Sequence, residues 1–275
     1  MLACFAFSFS TVQADSSLLE ANKKTIKFGL IPYVSSTRLI KIFLPLKKHL
    51  ERLAPYEIVF LTAPNFKKFF DRTQDQQYDV VFTAPHLGLM AEEVYGYQRL
   101  ARFSRDLNAC VFSCLDSKLD SLVDLKNKLV STPDPLALVS VLGEFMLKKN
   151  GLKESENINY LRTPSHNNAI ISVASNVADA GIVASGIYES FIAKGGGKKT
   201  KILKCSEPVP TAMFFANQSL DLKDRELLMA SLLSFPESDL GRQFFQDTPF
   251  LGIQAINDSD MQKLEKYMDE LKARL

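Results

Sequence analysis

The residues whose types and spacing best suit chemistry lie within 163–185, TPSHNNAIISVASNVADAGIVAS. Ser165, His166 and Asn167 stand just ahead of Ile170, Val173, Ala174 and Val177, apolar residues recurring at i, i+3, i+4 and i+7, the period of one helical face. Ser165 is suited to accept from a first-turn amide, so the helix is expected to begin near Ser165 and His166 with its unpaired N–H groups beneath a Ser-His-Asn-Asn cluster. Such an end attracts anions. An ordinary capped helix start that meets water satisfies the same pattern. The run GIVA at 181–184 reads as a short buried strand, which places the unit in an α/β sheet.

These groups need elements to hold them. The stretch 26–33, IKFGLIPY, reads as a buried first strand stopped by Pro32, with Tyr33 and Ser35 following at its carboxyl end. In open α/β sheets ligands sit beyond such ends, which makes both residues contact candidates, although Ser35 fits a plain helix cap as well. The helix expected over 37–53 carries Leu39, Ile42, Phe43, Leu46, Leu50 and Leu53 on one side, Pro45 as a point of kinking, and His49 among charged neighbours as a solvated surface residue. A strand at 57–62, a helix at 65–75 and a strand at 79–83 complete a βαβαβ series with short connections, the pattern of a parallel sheet covered on both faces. Thr83 and His86 lie where the third strand gives way to a helix expected over 87–94. A second series begins with ACVFSCL at 109–115 and continues through a strand at 128–131, a long helix at 136–149, a strand at 158–161 and the 163–185 unit. Ser131, Thr132 and Ser140 flank the start of the long helix and join the candidates. The chain then returns through VPTAMFFAN at 209–217 and ends in helices over 223–235, 239–246 and 258–273. Two passages between two α/β lobes imply a hinged clamshell, with lobe 1 built from 25–108 and 206–275 and lobe 2 from 109–205.

With 275 residues, 46% hydrophobic and 23% charged at a net charge of +2, the chain is long enough to bury a large core in two lobes. No Lys/Arg run beyond KGGGKKTK at 194–201 is present, so nucleic acid is not an expected partner. The glycines and lysines at 195–199 read as a mobile surface loop. Residues 1–14, MLACFAFSFSTVQA, form a short apolar run ending in the small-residue spacing of a secretory cleavage site, without the usual basic start. Export to the periplasm is the expectation, with Cys4 offering a lipid-attachment alternative. No later segment reaches the ~20 apolar residues that span a bilayer. Cys110 and Cys114, about 13 Å apart along a strand, cannot bridge each other, whereas Cys205 can meet either one if the segments run side by side. With no Cys-x-x-Cys and only His49, His86 and His166, neither a metal site nor a cofactor is expected.

Taken in order, FGLIPY, PLKKHLERL, YDVVFTAPHLG, TPDPLALVSVLG, TPSHNNAIISVASNVADAGIVAS and EPVPTAMFFAN resemble the phosphate/phosphite/phosphonate substrate-binding proteins of ABC transporters. The resemblance covers essentially everything after the leader. It implies the type II periplasmic-binding-protein clamshell, two α/β lobes joined by two hinge crossings, closing on one small oxyanion. It further implies a monomer that hands this small anionic ligand to a membrane permease without catalysis. His166 matches the family's ligand-binding histidine, Asp134-Pro135 the Asp-Pro ahead of a hydroxyl run, and Tyr33 and Thr83 the first-lobe loops. The run itself departs from the family pattern, because Ala137 and Leu138 stand where two adjacent hydroxyls are expected and Ser140 is the nearest one left. Two missing hydrogen bonds to a charged ligand, ~1.5–3 kcal/mol each, would weaken phosphonate affinity about a hundredfold unless other donors compensate. Gly186 stands where members that hold an aminoalkyl phosphonate place an acid. The alternative function is a sensory clamshell reporting its ligand to a membrane kinase or cyclase. A thiol enzyme built on Cys110, Cys114 or Cys205 with His166 lacks any nucleophile-and-base signature.

Overall fold

The computed structural model describes residues 23–195 and 200–275; the signal-like segment 1–14, Cys4 and residues 196–199 of the glycine-lysine loop lie outside the described residues. In β1 (Lys24–Leu30), Ile26, Phe28 and Leu30 are fully buried, and the strand pairs in parallel with β2 (Tyr56–Leu61) on one side and β3 (Val80–Thr83) on the other. The crossovers are α1 (Ser36–Leu53), which runs unbroken through Pro45, and α2 (Phe66–Gln74). Next come α3 (Pro85–Tyr95) and β4 (Tyr97–Phe103), joined at Gly96 in the left-handed conformation that only glycine adopts freely. The chain crosses to the second lobe through β5 (Asp106–Leu107) and builds β6 (Ala109–Cys114), β7 (Leu129–Thr132), α4 (Leu138–Lys149), β8 (Asn159–Arg162), α5 (His166–Ala174), β9 (Ala180–Ala184), α6 (Ser185–Ala193) and β10 (Thr200–Cys205). It returns through β11 (Val209–Pro210) to β12 (Met213–Asn217), α7 (Leu222–Ser234), α8 (Asp239–Asp247), β13 (Ile253–Gln254), α9 (Asp258–Glu265) and α10 (Met268–Lys272).

Both large sheets follow one plan. Their strand orders are β13-β4-β12-β3-β1-β2 and β10-β6-β9-β7-β8. In each, the strand arriving from the hinge, β12 or β6, inserts antiparallel to both of its neighbours. The two crossings pair with each other as the short ribbon β5–β11. This is the α/β clamshell with two hinge crossings that the sequence led us to expect.

Several local expectations are corrected or narrowed. β4 and α6 were not foreseen, and the return segment divides into β11 and β12 with residues 211–212 between them. The last helix breaks at residues 266–267, where Tyr267 turns inward, 3% exposed, to set its ring 4.8 Å from that of Phe145. His49 is not solvated: the i+3 step from Leu46 puts it on the buried face of α1, 2% exposed, with Nε2 donating to the Ser231 carbonyl at 3.0 Å and the ring against Phe235. Cys205 pairs with Cys110 and not with Cys114, because the antiparallel register of β10 and β6 sets residues 205 and 110 directly opposite.

A third connection between the lobes is non-covalent. The C-terminal helices lie against α3 and α4, and the Arg274 guanidinium donates to the Pro135 carbonyl at 2.7 Å while pairing with Glu144 at 3.1 Å. Glu270 pairs with Lys148 on the same helix, α4.

Candidate ligand-binding crevice

The helices that leave the inner parallel strands of both sheets begin between the lobes, α1 after β1, α3 after β3, α4 after β7 and α6 after β9, whereas α7, which leaves the antiparallel β12, begins at the opposite end of its sheet. None of these four starts has a side-chain cap. By contrast α2 and α5, which leave the outer strands β2 and β8, are capped by Asn65 and Ser165. A capping oxygen occupies one of the first-turn N–H groups, so the bare starts keep their donors and their positive end for another acceptor.

One corner of the crevice is sealed. His86, fully buried near the start of α3, donates from Nε2 to the Leu136 carbonyl ahead of α4 at 3.0 Å, a hydrogen bond between the lobes. Leu136, Ala137 and Leu138 are at most 8% exposed, so the positions of the missing hydroxyls are packed in hydrocarbon. Ser131, Thr132 and Ser140 are inaccessible as well. The Ser131 hydroxyl donates to the Ala169 carbonyl at 2.8 Å, and Thr132 and Ser140 bond each other at 2.8 Å. These three sequence candidates serve the inside of lobe 2. Thr83, 2% exposed at the end of β3, and His86 line the same dry corner and reach no solvent.

Burial pushes the His86 ring down to about 4, against a smaller upward pull from the Leu136 carbonyl. Above pH 6.5 the ring is neutral in the folded and unfolded chain alike; between 6.5 and about 4 only the unfolded chain takes the proton, so stability falls through that window and levels off below it. The expected loss at this one site is about 3 kcal/mol. Denaturant titrations at pH 7 and pH 4 should show a steeper pH dependence in the wild type than in His86→Gln, which keeps an N–H donor but cannot titrate. Equal slopes would contradict the assignment.

The other corner is open. Tyr33, 39% exposed, sets its ring edge against Phe82 and Phe250, and its hydroxyl is pushed up by crowding and drawn back by the Arg38 guanidinium beside it. Ser35 and Arg38 at the bare start of α1 are exposed, and neither side chain makes a hydrogen bond or ion pair among the described residues. Ser165 caps α5 by accepting from the Asn168 amide at 3.2 Å, while Asn167 is exposed. His166 is half-buried, its Nδ1 has no partner, and desolvation lowers it to about 4, which leaves the ring uncharged at neutral pH.

Sequence reasoning missed Arg38 and Arg105. Arg105 donates from Nη1 to the Pro249 carbonyl at 3.3 Å, and its Nη2 lies 2.9 Å from where a side chain at Gly186 would begin. Its position just before the crossing strand β5 was the available signal. A separate surface cavity of about 420 Å³, lined by Cys114, Lys118, Asp124, Lys128 and Asp179 near the amino end of β7, has no part in the crevice.

A family model described as ABC transporter, phosphonate, periplasmic substrate-binding protein matches residues 28–261. Among solved structures, the methylphosphonate complex of PhnD1 from Prochlorococcus marinus is similar at 16% identity with a TM-score of 0.77, covering 91% of this chain and 99% of that one. A Xanthomonas citri protein solved with ATP gives 16% identity and a TM-score of 0.78, covering 92% and 99%. A binding protein component of an ABC phosphonate transporter from Pseudomonas aeruginosa gives 17% and 0.77, covering 92% and 88%. At such identities the shared feature is the fold, the type II periplasmic-binding clamshell.

Proposed function

Because the chain belongs to the family of periplasmic substrate-binding proteins of phosphonate ABC transporters, we propose that its open corner takes up a small phosphorus oxyanion and presents it to the permease, with no covalent chemistry. The observation that carries this reading is that the starts of α1 and α6 have no side-chain cap, which leaves first-turn N–H groups to an anion. The contact set is Tyr33, Ser35 and Arg38 from lobe 1, with Ser165, His166, Asn167 and the start of α6 from lobe 2. Ligand affinity for the closed form then shifts the lobes together about β5 and β11. The protein acts as a monomer in the periplasm, exported by its N-terminal segment. No feature of the crevice favours the sensory alternative.

Methylphosphonate, phosphite and phosphate should each be tested by thermal shift and calorimetry, since a ligand at 100 times its Kd adds about 2.7 kcal/mol of stability. At least one should bind, and His166→Ala should weaken it about ten- to hundredfold, the worth of one hydrogen bond to a charged acceptor. If none of the three stabilises the protein at millimolar concentration, the carrier reading fails.

A further inference from the structure

The guanidinium of Arg105 stands at the back of the open corner, where hinge and both lobes meet. Its backbone carbonyl accepts from the Thr211 hydroxyl of the other crossing, Nη1 donates to Pro249 in lobe 1, and Nη2 faces Gly186 at the start of α6 in lobe 2. No carboxylate pairs with it among the described residues. The acid nearest by sequence, Asp106, is engaged by Arg102 at 2.9 Å and Lys263 at 3.7 Å. The carboxylate of Asp134, ahead of α4, accepts from the Leu136 amide at 2.8 Å. Any acidic side chain at position 186 would meet Arg105 at once, and glycine leaves that space to the guanidinium.

We infer that Arg105 sets the ligand class, selecting phosphorus oxyanions that carry a second anionic group, a carboxylate or a second phosphonate, and rejecting those that carry an ammonium. This rests on the crevice being the binding site. A guanidinium forks two parallel N–H bonds onto a carboxylate or phosphoryl group, a geometry an ammonium cannot join. Because Arg105 touches both lobes, a ligand that engages it also bridges the hinge, and its second charge favours closure.

The test is calorimetry of the whole protein with four probes: methylphosphonate, phosphonoacetate, methylenediphosphonate and 2-aminoethylphosphonate. We expect phosphonoacetate or methylenediphosphonate, whichever second anion fits, to bind at least tenfold tighter than methylphosphonate, and 2-aminoethylphosphonate to bind more weakly than methylphosphonate. Arg105→Gln should remove the preference, so that phosphonoacetate and methylenediphosphonate bind no tighter than methylphosphonate does to the same variant. Gly186→Glu offers an independent variant, since a carboxylate is favourable in the first turn of a helix; by neutralising Arg105 it should reverse the order of the dianion and the ammonium ligand. Methylphosphonate binding with no preference among the four, or a preference that survives both substitutions, overturns this inference while leaving the proposed function standing. Failure of all four to bind overturns this inference, and the proposed function falls with it only when phosphite and phosphate fail as well.

Discussion

Asp260→Ala should lower the free energy of unfolding by about 3–5 kcal/mol, the cost of removing one partner from a buried ion pair. Asp260 is 2% exposed and its Oδ2 lies 2.9 Å from Nε of Arg102, itself 6% exposed in β4. The same carboxylate accepts from the Asn257 amide at 3.1 Å, while the Asn257 side chain accepts from the Asp260 amide at 2.9 Å, closing a capping box at the start of α9. Truncation leaves the guanidinium in a dry site with Asp106, the Phe103 carbonyl and the Gln254 side-chain oxygen, and opens the first turn of the helix. Urea titration should report a lower midpoint at unchanged slope. A loss under about 1 kcal/mol would equate the contact with an exposed pair, contrary to its burial. Since α9 leads directly into α10, which holds α4 through Glu270 and leads to Arg274, the variant should also loosen the grip of the C-terminal helices on lobe 2.

Replacing Cys110 and Cys205 together by alanine should cost about 4 kcal/mol, because the bridge closes a loop spanning 95 residues and so restricts the unfolded chain strongly. The loop contains nearly all of the second sheet, so the loss falls on lobe 2. Reduction of the wild type should reproduce it, and the double variant should then be indifferent to reductant. A reductant effect that persists in the variant would trace the stabilisation to some other group. Binding in the crevice should survive, since neither cysteine lies at a helix start.

The order of elements was legible because both lobes repeat strongly apolar βα units such as YDVVFTAPHLG and ADAGIVAS, whose periods leave little ambiguity. β4 was not, because YQRLARF puts Arg99 and Arg102 in a strand. Their ion pairs with Asp258 and Asp260 come from a distant segment that no local pattern displays. The same limit governs the crevice. Position at a strand's carboxyl end drew attention to Tyr33 and Ser35, which are exposed, but it could not tell that Ser131, Thr132 and Ser140 turn into lobe 2 and bond there. The departure at Ala137 and Leu138 was readable; that His86 and the C-terminal helices close over that departure was not. Arg105 escaped notice because its setting is assembled from residues 186, 211 and 249, far from it in the chain.

The bare starts of α1 and α6 have a consequence for how such a receptor can change. Peptide N–H groups are the same in every residue except proline, so a guest held by them keeps its anchorage when neighbouring side chains mutate. In the proposed mode of binding, recognition of the charged head is thereby uncoupled from recognition of whatever is attached to it, and single replacements around the rim would retune the diet without passing through an intermediate that binds nothing.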